Sequence, residues 1–368
     1  MKLRVLVSAV VLSQPMGGVR RHNAHLLPLA ASLLLERGGS LAVLEGREKI
    51  AFALPDSVER IASSVPAHPV LVRATLEGRA LRAALDAARE AKHPFDLVHT
   101  GHLPVPRALK TPYSVTIHDL RALELEHTPM SRRLIARKLI GNAVDGAAAV
   151  ITVSEQVREQ VLARFPRNAG KIHVVPNAAD HFEPLPRRLL DDAPLLHVGH
   201  VERRKNLELL LRAIALDPGL PRLRLAGESK LGEEQRLRDL AAELGVADRV
   251  EFIGGFEDGL LAELYASAAA VVIPSQLEGF GIPVLEAQRA RVPVAISRAG
   301  ALLEIAGPDT PSFAPDDPAE CAHAIRAALA TPARELDAAA LRSQRFTWKD
   351  SAARLVAAWE TAVQQAAP

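Results

Sequence analysis

The sequence predicts an α/β protein with two doubly wound parallel-sheet domains. Short β-branched apolar runs alternate with longer Ala/Leu/Arg/Glu stretches of helical period along the whole chain. Many of the short runs are almost continuously apolar, as strands covered by helices on both faces must be. A proline-rich segment, residues 176–194, interrupts the alternation with Pro176, Pro184, Pro186 and Pro194. The length of 368 residues holds two domains at ~150 residues each.

Taken in order, the first series of expected strands is 3–12, 41–44, 97–100, 113–117, 148–153 and 172–175. The second is 195–198, 222–226, 250–253, 270–273 and 294–297, with helical patterns at 207–216, 233–244 and 318–330. These divide the chain into domains 1–183 and 184–347, each large enough to bury a core. Ligands of such sheets bind beyond the carboxyl ends of the strands, which places the expected site in a cleft between two facing domains. Residues 1–12 are apolar but far short of the ~20 needed to cross a bilayer. The following Gln14-Pro15-Met16-Gly17-Gly18 is a poor cleavage site, so a buried first strand is the expectation.

Composition narrows the function. Apolar residues make up 48% and charged residues 24%, which excludes a disordered chain, a coiled coil and a disulfide-stapled mini-protein. Lys and Arg number 45 against 43 Asp and Glu, so the net charge of +2 gives no global reason to expect nucleic acid. The single cysteine, Cys321, cannot close an internal disulfide and fits a reducing cytosol. With 9 Phe, 2 Tyr and 2 Trp, the chain has fewer rings than proteins that hold bases or sugars by stacking.

Four segments carry chemistry. The most informative is Glu278-Gly279-Phe280-Gly281-Ile282-Pro283-Val284-Leu285-Glu286-Ala287, between the apolar strand 270–273 and a helix expected to start near Ile282 or Pro283. Pro suits the first helical turn, Gly279 and Gly281 let backbone approach a ligand, and the helix start offers N–H groups to a phosphate. Glu278 on the loop and Glu286 about one turn into the helix could accept hydrogen bonds from two parts of one elongated ligand. An ordinary strand-loop-helix turn with solvated glutamates fits the same spacing. Val284 occupies the place of the third glycine of a dinucleotide fingerprint, so that motif is absent.

The second segment is His197-Val198-Gly199-His200-Val201-Glu202-Arg203-Arg204-Lys205-Asn206. Arg204 and Lys205 could neutralise a diphosphate, one as a fork and one as a point charge. A solvated basic helix start is the plainer reading, but positive charge there opposes the helix dipole, and a missing anion would relieve that conflict. The third is the Gly17-Gly18 pair after the first strand, able to present N–H groups to an anion. The fourth is His118-Asp119, where His118 could bond a sugar hydroxyl and Asp119 could orient its ring; a structural His-Asp pair fits as well.

Together these residues resemble the retaining glycosyltransferases of the GT-B fold, with two Rossmann-like domains, and specifically family GT4. Glu278 and Glu286 match the family's glutamate-x7-glutamate motif within EGFGIPVLEA; Gly199, Arg204, Lys205 and Asn206 match its glycine–basic–Lys-Asn segment. Val150-Ile151-Thr152-Val153-Ser154, Val175-Pro176-Asn177, Phe313-Ala314-Pro315-Asp316-Asp317 and Phe346-Thr347-Trp348 match further family strings. The resemblance implies that the final helix, 348–368, crosses back to the first domain. It implies that domain 1–183 binds the acceptor and domain 184–347 the nucleotide-sugar donor.

It also implies roles. Glu286 would hold the ribose hydroxyls. Glu278 and the backbone at Gly279, Phe280, Gly281 and Ile282 would hold the donor sugar. Arg204 and Lys205 would stabilise the departing nucleoside diphosphate, a form of electrostatic catalysis. Gly17, Gly18, Gly199 and Asn206 would line the donor site, and His118 would contact the sugar near its 6-position. The family transfers with retention and without a metal. No D-x-D triplet marks a metal site here, and no permanently bound cofactor is expected.

Ala178, Arg291 and His200 depart from the family pattern. The His-Asp-Leu and Arg-Lys-Asn-Leu strings most resemble members that add mannose to polysaccharide precursors, from a GDP- or UDP-sugar. The expected acceptor is a saccharide or a lipid-linked saccharide, with no nucleic-acid partner and a cytoplasmic location. A sugar-nucleotide epimerase or a non-catalytic sugar-nucleotide scaffold on the same fold are the alternatives. The basic stretch 131–140, with Arg132, Arg133, Arg137 and Lys138, fits either an amphipathic helix resting on anionic lipid or a solvated helix over the core.

Overall fold

A computed structural model describes residues 2–13, 17–106, 109–124, 129–256 and 258–366. The chain divides into two compact units, one of residues 1–177 with 348–368 and one of residues 178–347.

The first unit is built on a seven-stranded parallel sheet. Its strands are β1 (Arg4–Ser8), β2 (Ser40–Leu44), β3 (Glu59–Ile61), β4 (Leu97–Thr100), β5 (Tyr113–Ile117), β6 (Ala149–Thr152) and β7 (Ile172–Val174). They lie in the order β3-β2-β1-β4-β5-β6-β7. Helix Gly17–Glu36 follows β1, and the last helix, Trp348–Ala366, packs against it. His25 stacks on Trp348 with centroids 5.2 Å apart, and Arg37 bonds Glu360 at 2.9 Å.

The second unit holds a six-stranded parallel sheet. Its strands are β8 (Leu195–Val198), β9 (Leu223–Ala226), β10 (Val250–Gly254), β11 (Ala270–Ile273), β12 (Val294–Ser297) and β13 (Ser312–Phe313). Their order is β10-β9-β8-β11-β12-β13. Leu195, Leu196, Ala270, Val271 and Val272 are fully buried, which explains their unbroken apolar sequence.

The topology positions the functional residues. In each sheet the winding reverses beside the first strand, between β1 and β4 and between β8 and β11. At such a point the following connections leave to opposite faces, and a crevice opens at the carboxyl ends.

All eleven expected strands form, but the first is shorter than expected. It ends at Ser8, and Ala9–Leu12 make a buried turn in which the Leu12 amide bonds the Ala9 carbonyl at 2.9 Å. Burial, not extension, accounts for the apolar run. Two strands escaped the sequence, β3 and β13. Both are edge strands of three and two residues, too short for a period to show. The unit division falls at Asn177, ahead of residue 183. Phe182 packs edge-on against Tyr265, 5.2 Å between centroids, and the Arg188 amide bonds the Ala266 carbonyl, which ties residues 178–194 to the second unit.

Candidate functional site

The second unit's switch point gathers the charged motif residues. After β8, Gly199 adopts φ +146°, and the chain makes a 3-10 turn over Arg203–Lys205. Asn206, at φ +55°, joins that turn to helix Leu207–Leu216. After β11 the loop runs from Pro274 to Gly281, and helix Ile282–Arg289 begins with Pro283 in its first turn. Gly281 caps that helix at φ +105°, where a Cβ would also lie 2.8 Å from Leu302 Cδ2.

The two loops are laced together. The Gln276 amide bonds the Arg204 carbonyl at 2.9 Å, and the Asn206 side-chain amide donates to the carbonyls of Pro274 and Pro315 at 3.1 and 2.6 Å. The Asn206 side chain thus ties its turn to the loops that follow β11 and β13.

Glu278 sits at the centre. Lys205 Nζ donates to its Oε1 at 2.5 Å, Ser275 Oγ donates to the same oxygen at 2.8 Å, and Arg204 lies 3.6 Å from Oε2. Arg204 also pairs with Glu202 at 2.7 Å. Burial alone would raise the Glu278 pKa. Lys205 and Arg204 outweigh it and hold the carboxyl at about 2. The side chains of Arg204, Lys205 and Glu278 keep 20%, 11% and 12% of their exposure, so the group can still be reached. The sequence left the basic turn in conflict with the helix dipole. Within the chain, Glu202 and Glu278 answer that conflict.

Glu286 is fully buried on the first turns of its helix. The Tyr265 hydroxyl donates to its Oε2 at 2.7 Å, and His181 Nε2 lies 3.7 Å from Oε1. The Phe280 ring is buried edge-on against Phe346 at 5.8 Å, leaving the backbone as the part of Phe280 suited to a ligand. His197, on β8, bonds the Val272 carbonyl through Nδ1 at 3.1 Å; burial and Lys205 lower its pKa to about 4.

The first unit places His118 at the end of β5, in a nest of histidines. The His22 ring meets it edge-on at 4.9 Å, and the Gly101 backbone bonds it. Burial first, then His22 and His99, drive its pKa well below the usual value. Its Nε2 takes no hydrogen bond from any described residue. Asp119 does not orient this ring: its carboxylate accepts from the Arg121 amide at 3.1 Å and caps the next turn. Gly17 opens its helix at φ +33°, and Gly18 has open space where a Cβ would stand. Gln14, Pro15 and Met16 lie outside the described residues.

Sequence reasoning missed several partners. Ser275 and Tyr265 bond the two glutamates and His181 lies near Glu286, but Tyr265 lies in a helical apolar pattern that reads as core. Gly227 and Gly300 permit close approach: a Cβ would fall 2.0 Å from the Gly199 carbonyl and 2.1 Å from the Glu278 carbonyl. The first unit's switch point also holds an unforeseen buried network. Ser8 Oγ and His102 Nε2 bond Glu77 Oε1 at 2.6 and 2.9 Å, Arg73 lies 3.6 Å from Oε2, and Arg73 donates to the Leu103 carbonyl at 2.8 Å.

Among the described residues, no three His, Cys, Asp or Glu side chains are grouped to hold a metal ion, and no helix is long and apolar enough to cross a membrane.

Comparison with known proteins supplies the family. The family model for glycosyl transferases group 1 matches residues 185–343, and that for glycosyltransferase family 4 matches residues 16–181. The MMP α-(1→4)-mannosyltransferase of Mycolicibacterium hassiacum is 31% identical over 75% of this chain and 68% of its own. Several other curated relatives are matched over only 54–57% of their length. Among solved structures, sucrose-phosphate synthase from Thermosynechococcus elongatus aligns with a TM-score of 0.77 at 24% identity, covering 97% of this chain and 98% of that one. Anabaena HepE, solved with UDP and glucose, aligns at 0.69 and 19%, covering 98% and 99%. The chain belongs to the group 1, family 4 glycosyltransferases, and its two parallel-sheet units are those of the GT-B fold.

Proposed function

We propose that this enzyme is a retaining glycosyltransferase that moves a hexose, mannose favoured, from a GDP- or UDP-sugar to a saccharide or lipid-linked acceptor in glycan, lipopolysaccharide or exopolysaccharide synthesis. The observation that carries the reading is the pairing of Arg204 and Lys205 at the second unit's switch point, where an anion would meet two partly exposed cations. The mannosyltransferase relative and the UDP complex of the structural neighbour support the sugar and the nucleotide class.

In this reading Arg204 and Lys205 bind the donor diphosphate and stabilise the charge that grows on the leaving group, without a metal. Gly199 shapes their turn, and Asn206 positions it. Glu286, aligned by Tyr265, accepts from the ribose hydroxyls. Glu278 accepts from sugar hydroxyls, beside the backbone of Gly279, Phe280, Gly281 and Ile282. Gly17, Gly18 and His118 are assigned to the donor by the family resemblance. Neutral His118 offers Nε2 as an acceptor to a hydroxyl. No protein nucleophile is invoked: the donor phosphate takes the acceptor proton on the same face.

The location is cytoplasmic, with peripheral membrane contact supported by helix Met130–Gly146. Its Met130, Leu134 and Ile135 are 67%, 61% and 60% exposed beside Arg132, Arg137 and Lys138. Liposome flotation tests this contact; equal binding after charge reversal at those cations would refute it.

The main test is a transfer assay with a nucleotide-sugar panel and saccharide acceptors, with the product anomer read by NMR. Release of nucleoside diphosphate and an anomer matching the donor are expected. Inversion, or no release with any donor, would overturn the reading.

A further inference from the structure

The cations assigned to the diphosphate are already occupied. Lys205 donates to Glu278 at 2.5 Å, and Arg204 lies 3.6 Å from its second oxygen. One carboxylate therefore stands within reach of both groups that a diphosphate would use. The carboxylate is also built in. Ser275 bonds it, the Ala301 amide bonds its backbone carbonyl at 2.9 Å, and Gly300 passes so close to that carbonyl that no side chain fits there.

We propose that Glu278 is a specificity-determining residue that acts as an internal competitor of the diphosphate, so that the site favours a nucleotide still carrying its sugar over the spent nucleoside diphosphate. The proposal rests on the donor-site reading above. A diphosphate that enters must draw the Lys205 hydrogen bond and the Arg204 charge away from Glu278. It also brings negative charge against a carboxylate that remains ionised, and like charges so close repel strongly. A sugar-bearing nucleotide compensates, because its hydroxyls donate to the displaced carboxylate. Bare nucleoside diphosphate has no such donor. After transfer, the product is therefore left facing an uncompensated carboxylate, which can return to Lys205 and expel it. Product release and donor preference follow from one residue.

The test is isothermal titration of the whole chain, wild type, Glu278→Gln and Lys205→Ala. The titrants are GDP with GDP-mannose and UDP with UDP-glucose, using the pair that the wild type binds. Glu278→Gln should bind the bare diphosphate about tenfold tighter than wild type and the nucleotide sugar no tighter, so that the preference for the sugar-bearing form collapses. Glu278→Ala carries the same expectation and stands in if Glu278→Gln fails to fold. If both substitutions leave bare-diphosphate affinity equal or weaker, Glu278 is an ordinary site residue and the competitor role is overturned. Lys205→Ala separates the two claims. It should lose the diphosphate, and if it binds as wild type does, the donor-site reading itself fails.

Discussion

The two units share a winding and differ in what they place where it reverses. Beside β8, the second unit sets Arg204, Lys205 and Glu278, ionised and partly exposed. Beside β1, the first unit sets Ser8, Glu77, His102 and Arg73, with a carboxylate and a guanidinium as well, but buried. Glu77 has no exposure, and its partners fix the segment after β4 through His102 and the Leu103 carbonyl. The same topological position thus carries two kinds of charge. Enclosed charge held by its own neighbours braces loops, whereas reachable charge is available to a ligand. Location in the fold nominates a site, and access decides its use.

The sharpest way to break this comparison is to exchange stability for activity. Glu77→Ala leaves Arg73 buried beside a lost partner, and breaking a buried pair costs about 3–5 kcal/mol. A large fall in Tm is expected, checked by calorimetry. Lys205→Ala should cut kcat/KM by about 10²–10³-fold, the loss typical of a group that stabilises a developing anion, while Tm falls less than in Glu77→Ala because Arg204 stays beside the Glu278 carboxylate. A Lys205→Ala protein destabilised as much as Glu77→Ala would erase the distinction between the units.

Acid sharpens the comparison further. Burial lowers the pKa of His22 to about 4 and of His99 to about 3, and lowers those of His118 and His173, all in the first unit. The second unit has His197, at about 4, and His200, also lowered. A histidine held neutral in the fold charges more readily when unfolded, so stability falls as pH drops below the ordinary histidine range. From pH 7 to 5.5, hydrogen exchange should accelerate more in the first unit than in the second, after correction for intrinsic rates. Equal acceleration would contradict the assignment of those histidines. The smallest effect is expected from Asn206→Ala. Losing two amide bonds to the Pro274 and Pro315 carbonyls should cost about 1–2 kcal/mol and raise the donor KM modestly, because the loops loosen without losing a charge.

Much of this was legible in the sequence. Strands such as β8 and β11 are buried on both faces, so their apolar runs announced themselves. The Glu278–Glu286 and Gly199–Asn206 segments were legible because each concentrates glycine and charge within a few residues. The edge strands β3 and β13 were too short to show a period. The pairing of Glu278 with Lys205 lies 73 positions apart, and that of Glu77 with Ser8 lies 69 apart. Such contacts come from strand order, which a local pattern does not encode. The partners of Asn206 and Asp119 were hidden for the same reason. The Pro274 and Pro315 carbonyls reach Asn206 only through the fold, and the Arg121 amide takes the Asp119 carboxylate away from His118.

The central claim is that the second unit's switch point holds the donor through its diphosphate. A direct titration with the nucleotide sugar that the wild type binds tests it most directly. The account predicts that Arg204→Ala and Lys205→Ala each bind donor at least tenfold more weakly, as loss of a charge-assisted contact of about 1.5–3 kcal/mol requires. Unchanged donor affinity in both variants would contradict it.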